Sequence, residues 1–428
     1  MGARSGNNYL STLKKLGAEI WFEGVRVPNV TSHEVLARRA SAIASLYDLQ
    51  MEKPEAMTFR TSDGGRAGMS FIQPRSAEEV RKRGRMMKIW ADYSCGTMRD
   101  SPASANLQIA AMSAASAFFA ENDRRHGDHI ESYYREACNH DWCICLGLAG
   151  ADVGAIEPGA SGSSESLRIV ERTPEGLITE GPCWAGSLLP ACEELLVLPS
   201  RTVRTEGVAP FASAFAIPAN TKGLKLLAKR SAARFAGPSC VAVFENVLIP
   251  WHRVFLLGDV DRARALPKAT SANAHTSHQT AVRSLAMGEF IVGLAVLVAE
   301  AANVISDAAV RKRIGDMAAT VEKMRAEVQL AEANAVAYRG VFAPAPGAFE
   351  QCVVQASRLQ SQLAEVVRLA SPSAAASVSL RDEAPGKELE AALEIARDSA
   401  GGSHETSTND ASLKPIVERV REFLARLD

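Results

Sequence analysis

Between residues 150 and 259 the apolar residues of this chain repeat at the spacing of a strand, while on either side they repeat at the spacing of a helix. That switch of period constrains the fold more than any other feature. A two-residue repeat lines one face of a strand, and a repeat of three to four lines one face of a helix. The chain is therefore predicted to be α+β, with an N-terminal helical domain, a central antiparallel β domain and a C-terminal helical bundle. LRIVERTPEGLITEG reads as a hairpin turning through Pro174, Glu175 and Gly176. ELLVLP, FASAFAIP, GLKLLAK and SCVAVFENVLIP follow as short strands separated by Pro, Gly and Asn. Such strands predict a compact barrel or sandwich. The run GASGSSES (159–166) reads as a surface loop.

These zones place domain boundaries at 1–149, 150–268 and 269–428. In the first, Ser76 followed by Glu79 has capping-box spacing, and Ile89, Trp90 and Tyr93 continue a helical face. An alanine-dominated helix is predicted over 103–119, and another from Gly127 onward. In the third zone, 278–303 and 307–340 read as long helices, GVFAPAPGAFE interrupts them, and helices resume over 350–369 and 387–398. The longest apolar run, 285–302, contains Glu289 and Glu300 and reads as bundle core rather than a membrane span.

A chain of 428 residues can bury a substantial core in two or three packed units. A formal net charge of -1 gives no electrostatic case for nucleic acid or an anionic membrane. The 8 cysteines are too sparse for a disulfide scaffold, and no basic-then-apolar leader is present, so a cytoplasmic location is expected. No GxGxxG or GxxxxGK[ST] run supports a nicotinamide or P-loop nucleotide domain.

Three places carry candidate chemistry. Gln279 and Arg283 stand four apart, so one helical face can offer an amide and a bidentate guanidinium to phosphate oxygens, or pack within a bundle or subunit interface. His126, His129, Cys138, His140, Cys143 and Cys145 lie close in sequence, but without a paired CxxC frame they are expected to be separate surface histidines and packed cysteines, with no metal. In PWHRVF, Pro250 sets a corner and Trp251 can cover the strand-to-helix junction.

Residues 19–50, 243–260 and 274–300 carry a family likeness: EIWFEGVRVPNVTSHEVLARRASAIASLYDLQ, VFENVLIPWHRVFLLGDV and AHTSHQTAVRSLAMGEFIVGLAVLVAE. Their wording and order resemble the 4-hydroxyphenylacetate 3-monooxygenase (HpaB) family of reduced-flavin-dependent monooxygenases, on an acyl-CoA dehydrogenase-like fold. The resemblance implies a two-component enzyme that uses reduced FAD (FADH2) to hydroxylate an aromatic or heteroaromatic substrate. It further implies a separate NAD(P)H-flavin reductase and a homotetramer. Cys143, Cys145 and Leu148, together with Gly186 and Ser187 of the Trp184-Ala185-Gly186-Ser187 loop, are then expected against the flavin ring. Ser187 matches a family Thr, and Gln279 and Arg283 are expected near the dinucleotide.

The match departs from the family where substrate is handled. Against a family run Arg-Ser-Pro-Asp-Tyr this chain reads Asp100-Ser101-Pro102-Ala103-Ser104, and against Thr-His it reads Cys145-Leu146. Met287 stands where relatives often have Lys. Arg99, Asp100 and Ser104 are the catalytic-pocket candidates, with a helix entry capped by Asp or Ser as the alternative reading. The same departures leave open a flavin-dependent oxidase or dehydrogenase, or a non-catalytic interaction protein on this scaffold.

Overall fold

The structure is a computed structural model that describes residues 2–62, 64–149, 166–200, 212–231, 237–345, 349–370, 389, 392–396 and 413–426. The loop expected at 159–166 lies outside these residues except for Ser166, and only 389 and 392–396 of the helix expected at 387–398 are described, all helical. Contacts divide the chain into two compact units. The first comprises Met1–Met86, Arg99–Thr276 and Val336–Ala343; the second comprises Met87–Met98, Ser277–Ala335 and Pro344–Asp428.

In the first unit, β1 (Glu19–Phe22) and β2 (Val25–Val27) enter a ten-stranded sheet, while β3 (Thr58–Arg60) and β4 (Arg66–Gly68) form a separate hairpin. The sheet then takes β5 (Ile144–Ala149), β6 (Arg168–Arg172), β7 (Gly176–Ala185), β8 (Glu194–Pro199), β9 (Ala214–Pro218), β10 (Leu224–Lys229), β11 (Ser239–Pro250) and β12 (Val254–Leu256). Its spatial order is β12-β9-β8-β5-β7-β11-β10-β1-β2, with β6 on β7 as the expected hairpin. Most ladders are antiparallel, as the sequence implies. Two are parallel: β1 on β10 and β5 on β8. Apolar period fixes which face a residue takes but not the direction of the neighbouring strand, so these two pairs leave no trace in the pattern.

Helices cover both faces of the sheet. Leu195 and Val197 of β8 join one core with Tyr9 and Leu13 of α1 (Gly6–Lys15) and Ile43 and Tyr47 of α2 (Leu36–Glu52). Leu196 and Leu198 point the other way, into a core with Phe119, Ile130 and Tyr133. A strand buried on both faces needs a continuous apolar run, which ELLVLP supplies. Each fully buried large aliphatic side chain contributes about 1.5–3 kcal/mol.

A short α3 (Pro54–Met57) follows α2, and α4 (Ala77–Tyr93) begins as the capping box predicts. The Glu79 N–H donates to Ser76 Oγ at 3.2 Å, while the Glu79 carboxylate accepts from the Arg75 N–H at 2.6 Å. The helix expected over 103–119 is two: α5 (Pro102–Ala114) and α6 (Ser116–Ala120), separated at Ala115 (φ -104°, ψ 30°). The bend brings Phe118 and Phe119 into edge contact at 5.3 Å, both buried. Next comes α7 (Arg124–His140), capped by Asp123, and α8 (Val260–Ala269) completes the helices of this unit before residue 272.

The second unit contains most of α9 (Ala272–Ala301), all of α10 (Ala308–Ala333) and α11 (Phe349–Ala370), and a helix at Lys414–Ala425. The apolar window of α9 is long enough to cross a membrane but is 89% buried in the protein, as a bundle-core helix is. Glu289 is the polar exception inside it. Its carboxylate meets Lys88 at 2.8 Å, Arg419 at 2.6 Å and Arg325 at 2.9 Å. Burial alone would raise this carboxyl, but Lys88, Arg419 and Arg325 hold it below its ordinary value.

The long helix expected over 307–340 ends sooner. Residues beyond Asn334 form a hairpin of β13 (Val336–Tyr338) and β14 (Val341–Ala343). Arg339 (φ 46°) and Gly340 (φ 80°) both take left-handed backbone there. Two such residues build the turn whose twist matches a two-stranded ribbon. The β-branched and aromatic residues flanking Arg339-Gly340 were the available signal.

One buried acid gives the first unit a pH dependence. Asp141 ends α7 in left-handed conformation (φ 50°), and its Oδ2 accepts from Gln50 Nε2 at 2.7 Å and the Arg4 N–H at 3.2 Å. Its Oδ1 is buried without a partner. Burial pushes this carboxyl up from 3.8 to about 6, against the opposing pull of Arg4. Between those values the native state keeps a proton that the unfolded chain has released, so stability falls as pH rises from about 4 to about 6 and is level above. The fall is on the order of 3 kcal/mol. Asp141→Asn removes this component: urea unfolding at pH 4.5 and 6.5 should show a smaller loss of stability with rising pH in the variant than in the parent.

Candidate functional site

The end of β7 lies beside β5, with Leu148 opposite Trp184 and Gly147 opposite Ala185. The next two residues, Gly186 and Ser187, turn across the Cys145 side of the sheet. The Gly186 N–H donates to the Leu146 carbonyl at 2.9 Å, and Cys145 Sγ donates to the Gly186 carbonyl at 3.4 Å. Cys143 is fixed through its backbone N–H, which donates to Glu193 Oε2 at 2.9 Å. Burial pushes the thiols of Cys143 and Cys145 above their ordinary values, which makes them packing groups rather than nucleophiles. Leu148 is half-buried and packs towards the core beneath α5 and α7.

Ser187 meets Asp100. The Ser187 N–H donates to Asp100 Oδ2 at 2.8 Å, and its hydroxyl reaches the same oxygen at 2.7 Å. Arg39, from α2, donates through one Nη2 to the Asp100 carbonyl at 2.7 Å and to Ser187 Oγ at 3.1 Å. Its Nε is buried and has no hydrogen-bond partner. Gly237, at φ 71°, closes over the group: a Cβ there would stand 2.9 Å from Ser187 Cβ and 3.1 Å from Ser187 Oγ. Loop, sheet edge and helix are thus tied through one carboxylate and one guanidinium.

Asp100 therefore does more than start a helix. Ser101 holds the cap position of α5 without a side-chain cap bond, and the Asp100 carboxylate is turned to Ser187. Ser104 is half-buried in the first turn, its N–H donating to the Ser101 carbonyl at 3.0 Å. Arg99 is exposed. The structure thus gathers Asp100, Gly186, Ser187 and Cys145 at one spot. Arg39 completes the group and was not anticipated, although an arginine beside Leu36, Ala40 and Ile43 on the apolar side of a helix was a legible anomaly.

Gln279 and Arg283 lie on α9 in the second unit, both half-buried. Arg283 Nη1 donates to the Gly96 carbonyl at 3.1 Å. Gly96 (φ 70°) presses against the same helix, where a Cβ would come within 2.5 Å of the Met287 backbone nitrogen. On that helix too, His278 Nε2 lies 2.8 Å from Glu332 Oε1 and its ring stacks on Phe349.

The histidine and cysteine cluster separates. Among the described residues no group of three or more His, Cys, Asp or Glu could hold a metal ion, and all eight cysteines are buried and outside any disulfide. His126 is a correction to the surface expectation: it is buried, with Nδ1 3.0 Å from Asn122 Oδ1. In the PWHRVF corner, Trp251 Nε1 donates to the Thr173 carbonyl at 3.0 Å, and Arg253 pairs with buried Glu194 at 2.7 Å, so this segment holds the sheet together.

The chain matches the family model described as 4-hydroxyphenylacetate 3-hydroxylase N terminal over residues 5–256, and its C-terminal counterpart over residues 263–413. It belongs to the 4-hydroxyphenylacetate 3-hydroxylase (HpaB) family. The oxygenase component of 4-hydroxyphenylacetate 3-monooxygenase from Geobacillus sp. is 30% identical over 390 residues, covering 87% of this chain and 79% of the relative. The Thermus thermophilus oxygenase component is 30% identical, covering 85% and 78%. A 4-nitrophenol 4-monooxygenase/4-nitrocatechol 2-monooxygenase oxygenase component from Rhodococcus opacus is 26% identical, covering 80% and 68%. The crystal structure of HpaB complexed with FAD superposes with a TM-score of 0.78 at 27% identity, over 99% of this chain and 91% of that one. The α+β order expected from the sequence is thus the HpaB arrangement.

Arg39 holds two elements of this HpaB chain at once, and its removal leaves the Asp100 carbonyl and Ser187 Oγ without that donor. Arg39→Ala is expected to lower stability by about 1.5–3 kcal/mol, the range for hydrogen bonds to a charged group. Arg39→Lys should restore only part of it, because a single ammonium lacks the planar fork. Urea unfolding of the two variants checks both.

Proposed function

We propose that this chain is the oxygenase component of a two-component flavin monooxygenase, which uses reduced FAD and dioxygen to hydroxylate a small aromatic of the phenol class. The observation that carries this reading is the likeness, over 99% of the chain, to an HpaB structure complexed with FAD. Relatives named for 4-hydroxyphenylacetate, 4-nitrophenol and 2,4,6-trichlorophenol support a substrate among the substituted phenols.

The residues fit the cofactor in kind. Ser187 carries an N–H and a hydroxyl, both held by Asp100 Oδ2, Gly186 lets the chain pass close to Cys145, and the buried Arg39 Nε lacks a partner. A flavin edge needs directional donors of this type but no formal charge. In the second unit, Gln279 and Arg283 supply the amide and guanidinium suited to a diphosphate. When bound, reduced FAD supplies the reducing equivalents and the oxygen chemistry; the protein orients the ring and keeps water out. Leu148, half-buried Trp184 and the alanines of α5 supply apolar wall. The chain carries no nicotinamide fingerprint, so a separate NAD(P)H-flavin reductase would deliver the reduced flavin.

Arg99, Asp100 and Ser104 are the proposed substrate-side residues. With a carboxylate at position 100, an anionic substituent on the substrate is repelled, which favours an uncharged phenol or heteroaromatic. Exposed Val353 (41%), Val354 (44%) and Leu369 (48%) on α11 support a self-association surface and the proposed homotetramer. A cytoplasmic location fits eight cysteines held as thiols.

The test couples the purified chain to a flavin reductase with NADH, FAD and isotopically labelled dioxygen, over a panel of p-cresol, 4-nitrophenol and 4-hydroxyphenylacetate. The expected outcome is a hydroxylated product containing one labelled oxygen atom, with the uncharged phenol turned over at least tenfold better than the carboxylate. Consumption of NADH only to hydrogen peroxide across the panel would contradict the proposal.

A further inference from the structure

We infer that Asp100 is an internal latch on the flavin cradle, holding the Ser187 donors that a flavin edge would use and thereby setting how tightly flavin binds. This inference rests on the flavin reading above and deepens it. Ser187 has two protons to give, one on its backbone nitrogen and one on its hydroxyl. Both go to Asp100 Oδ2, at 2.8 and 2.7 Å. The hydroxyl oxygen also accepts from Arg39 Nη2 at 3.1 Å. Neither donor remains for another acceptor while the carboxylate is seated.

The competition is unequal in kind. A carboxylate accepts a charge-assisted hydrogen bond, roughly twice as strong as one to a neutral carbonyl such as those on a flavin pyrimidine ring. Space adds to it. The Cβ position of Gly186 lies 3.3 Å from Asp100 Oδ2, and the Cβ position of Gly237 lies 2.9 Å from Ser187 Cβ, so both glycines pack closely on the seated carboxylate and serine. For the ring to take the Ser187 donors, the Asp100 side chain must turn away.

Arg39 makes that movement local. It grips the backbone carbonyl of Asp100 rather than its carboxylate, at 2.7 Å. The loop before α5 therefore stays anchored while the side chain rotates. Asp100 is a positioning residue in this scheme, acting through Ser187, and its substitution should change flavin affinity in a direction opposite to the loss expected of a residue that merely supports the fold.

The test measures FAD binding by quenching of flavin fluorescence, and reduced FAD binding by anaerobic titration, for the parent chain, Asp100→Ala, Asp100→Asn, Ser187→Ala and the double variant Asp100→Ala/Ser187→Ala. The latch predicts that Asp100→Ala tightens the Kd at least tenfold, that Asp100→Asn tightens it by less, and that the double variant keeps only the part of the gain carried by the residue 187 backbone N–H. Asp100→Asn keeps the side-chain size and one acceptor for the Ser187 N–H. If Asp100→Ala does not fold, Asp100→Asn decides alone, with at least threefold tightening expected. Unchanged or weaker binding in the folded Asp100 variants, or a gain undiminished by loss of the Ser187 hydroxyl, overturns the latch and leaves the flavin reading intact. Absence of binding of either redox form to every variant and to the parent overturns both.

Discussion

Burial of both faces of one mixed sheet is the constraint from which the rest of the first unit follows. Strands β5 and β8 run side by side with Cys145 and Leu195 facing one core and Ile144 and Leu196 facing the other. A sheet covered in this way must receive helices on each side, and α1 and α2 on one face with α5 and α7 on the other provide them. Because α2 lies over the face that carries Cys145, an arginine on its apolar side arrives at the end of β7. Because α5 serves the opposite face, the loop leading into it passes the same place. The meeting of Arg39, Asp100 and Ser187 is thus a product of the layering.

The buried carboxylates Glu193 and Glu194 of this unit are held in pairs. Arg4 lies over the rings of Tyr9 and Tyr47 and pairs with Glu193, whose other bond holds the Cys143 N–H at the start of β5. Arg253 performs the same service for Glu194 one residue later. A buried ion pair that loses one partner is strongly destabilised, so such pairs specify register even where they add little net stability. The second unit repeats the device with Glu289 among Lys88, Arg325 and Arg419.

Much of this was legible in the residues. The period switch located β6 to β11 but not β1 to β5 or β13 and β14, Ser76 and Glu79 marked the start of α4, and Pro174-Glu175-Gly176 marked the β6–β7 hairpin. Strand direction was not legible, because alternation is the same in parallel and antiparallel ladders. The β13–β14 hairpin followed directly on a run of good helix formers, and only the β-branched and aromatic residues around Arg339-Gly340 betrayed it. For the site, the loop residues Gly186 and Ser187 and the anomalous Asp100 were visible, but their meeting spans 87 positions, and Arg39 reaches Ser187 across 148. Contacts of that separation depend on the whole stack of layers, which no local spacing encodes.

The identity of residue 100 gives the site its particular character, with a carboxylate seated on Ser187 and Arg39 brought in from another helix. The central claim is that the chain nonetheless holds reduced FAD in a protected site. Stopped-flow spectroscopy tests it most directly: anaerobically reduced FAD is mixed with excess protein, and oxygen is then admitted. The account predicts flavin reoxidation that is slower than in free solution and separates into distinct kinetic phases. Reoxidation at the free-solution rate, unchanged as protein concentration rises, would contradict it.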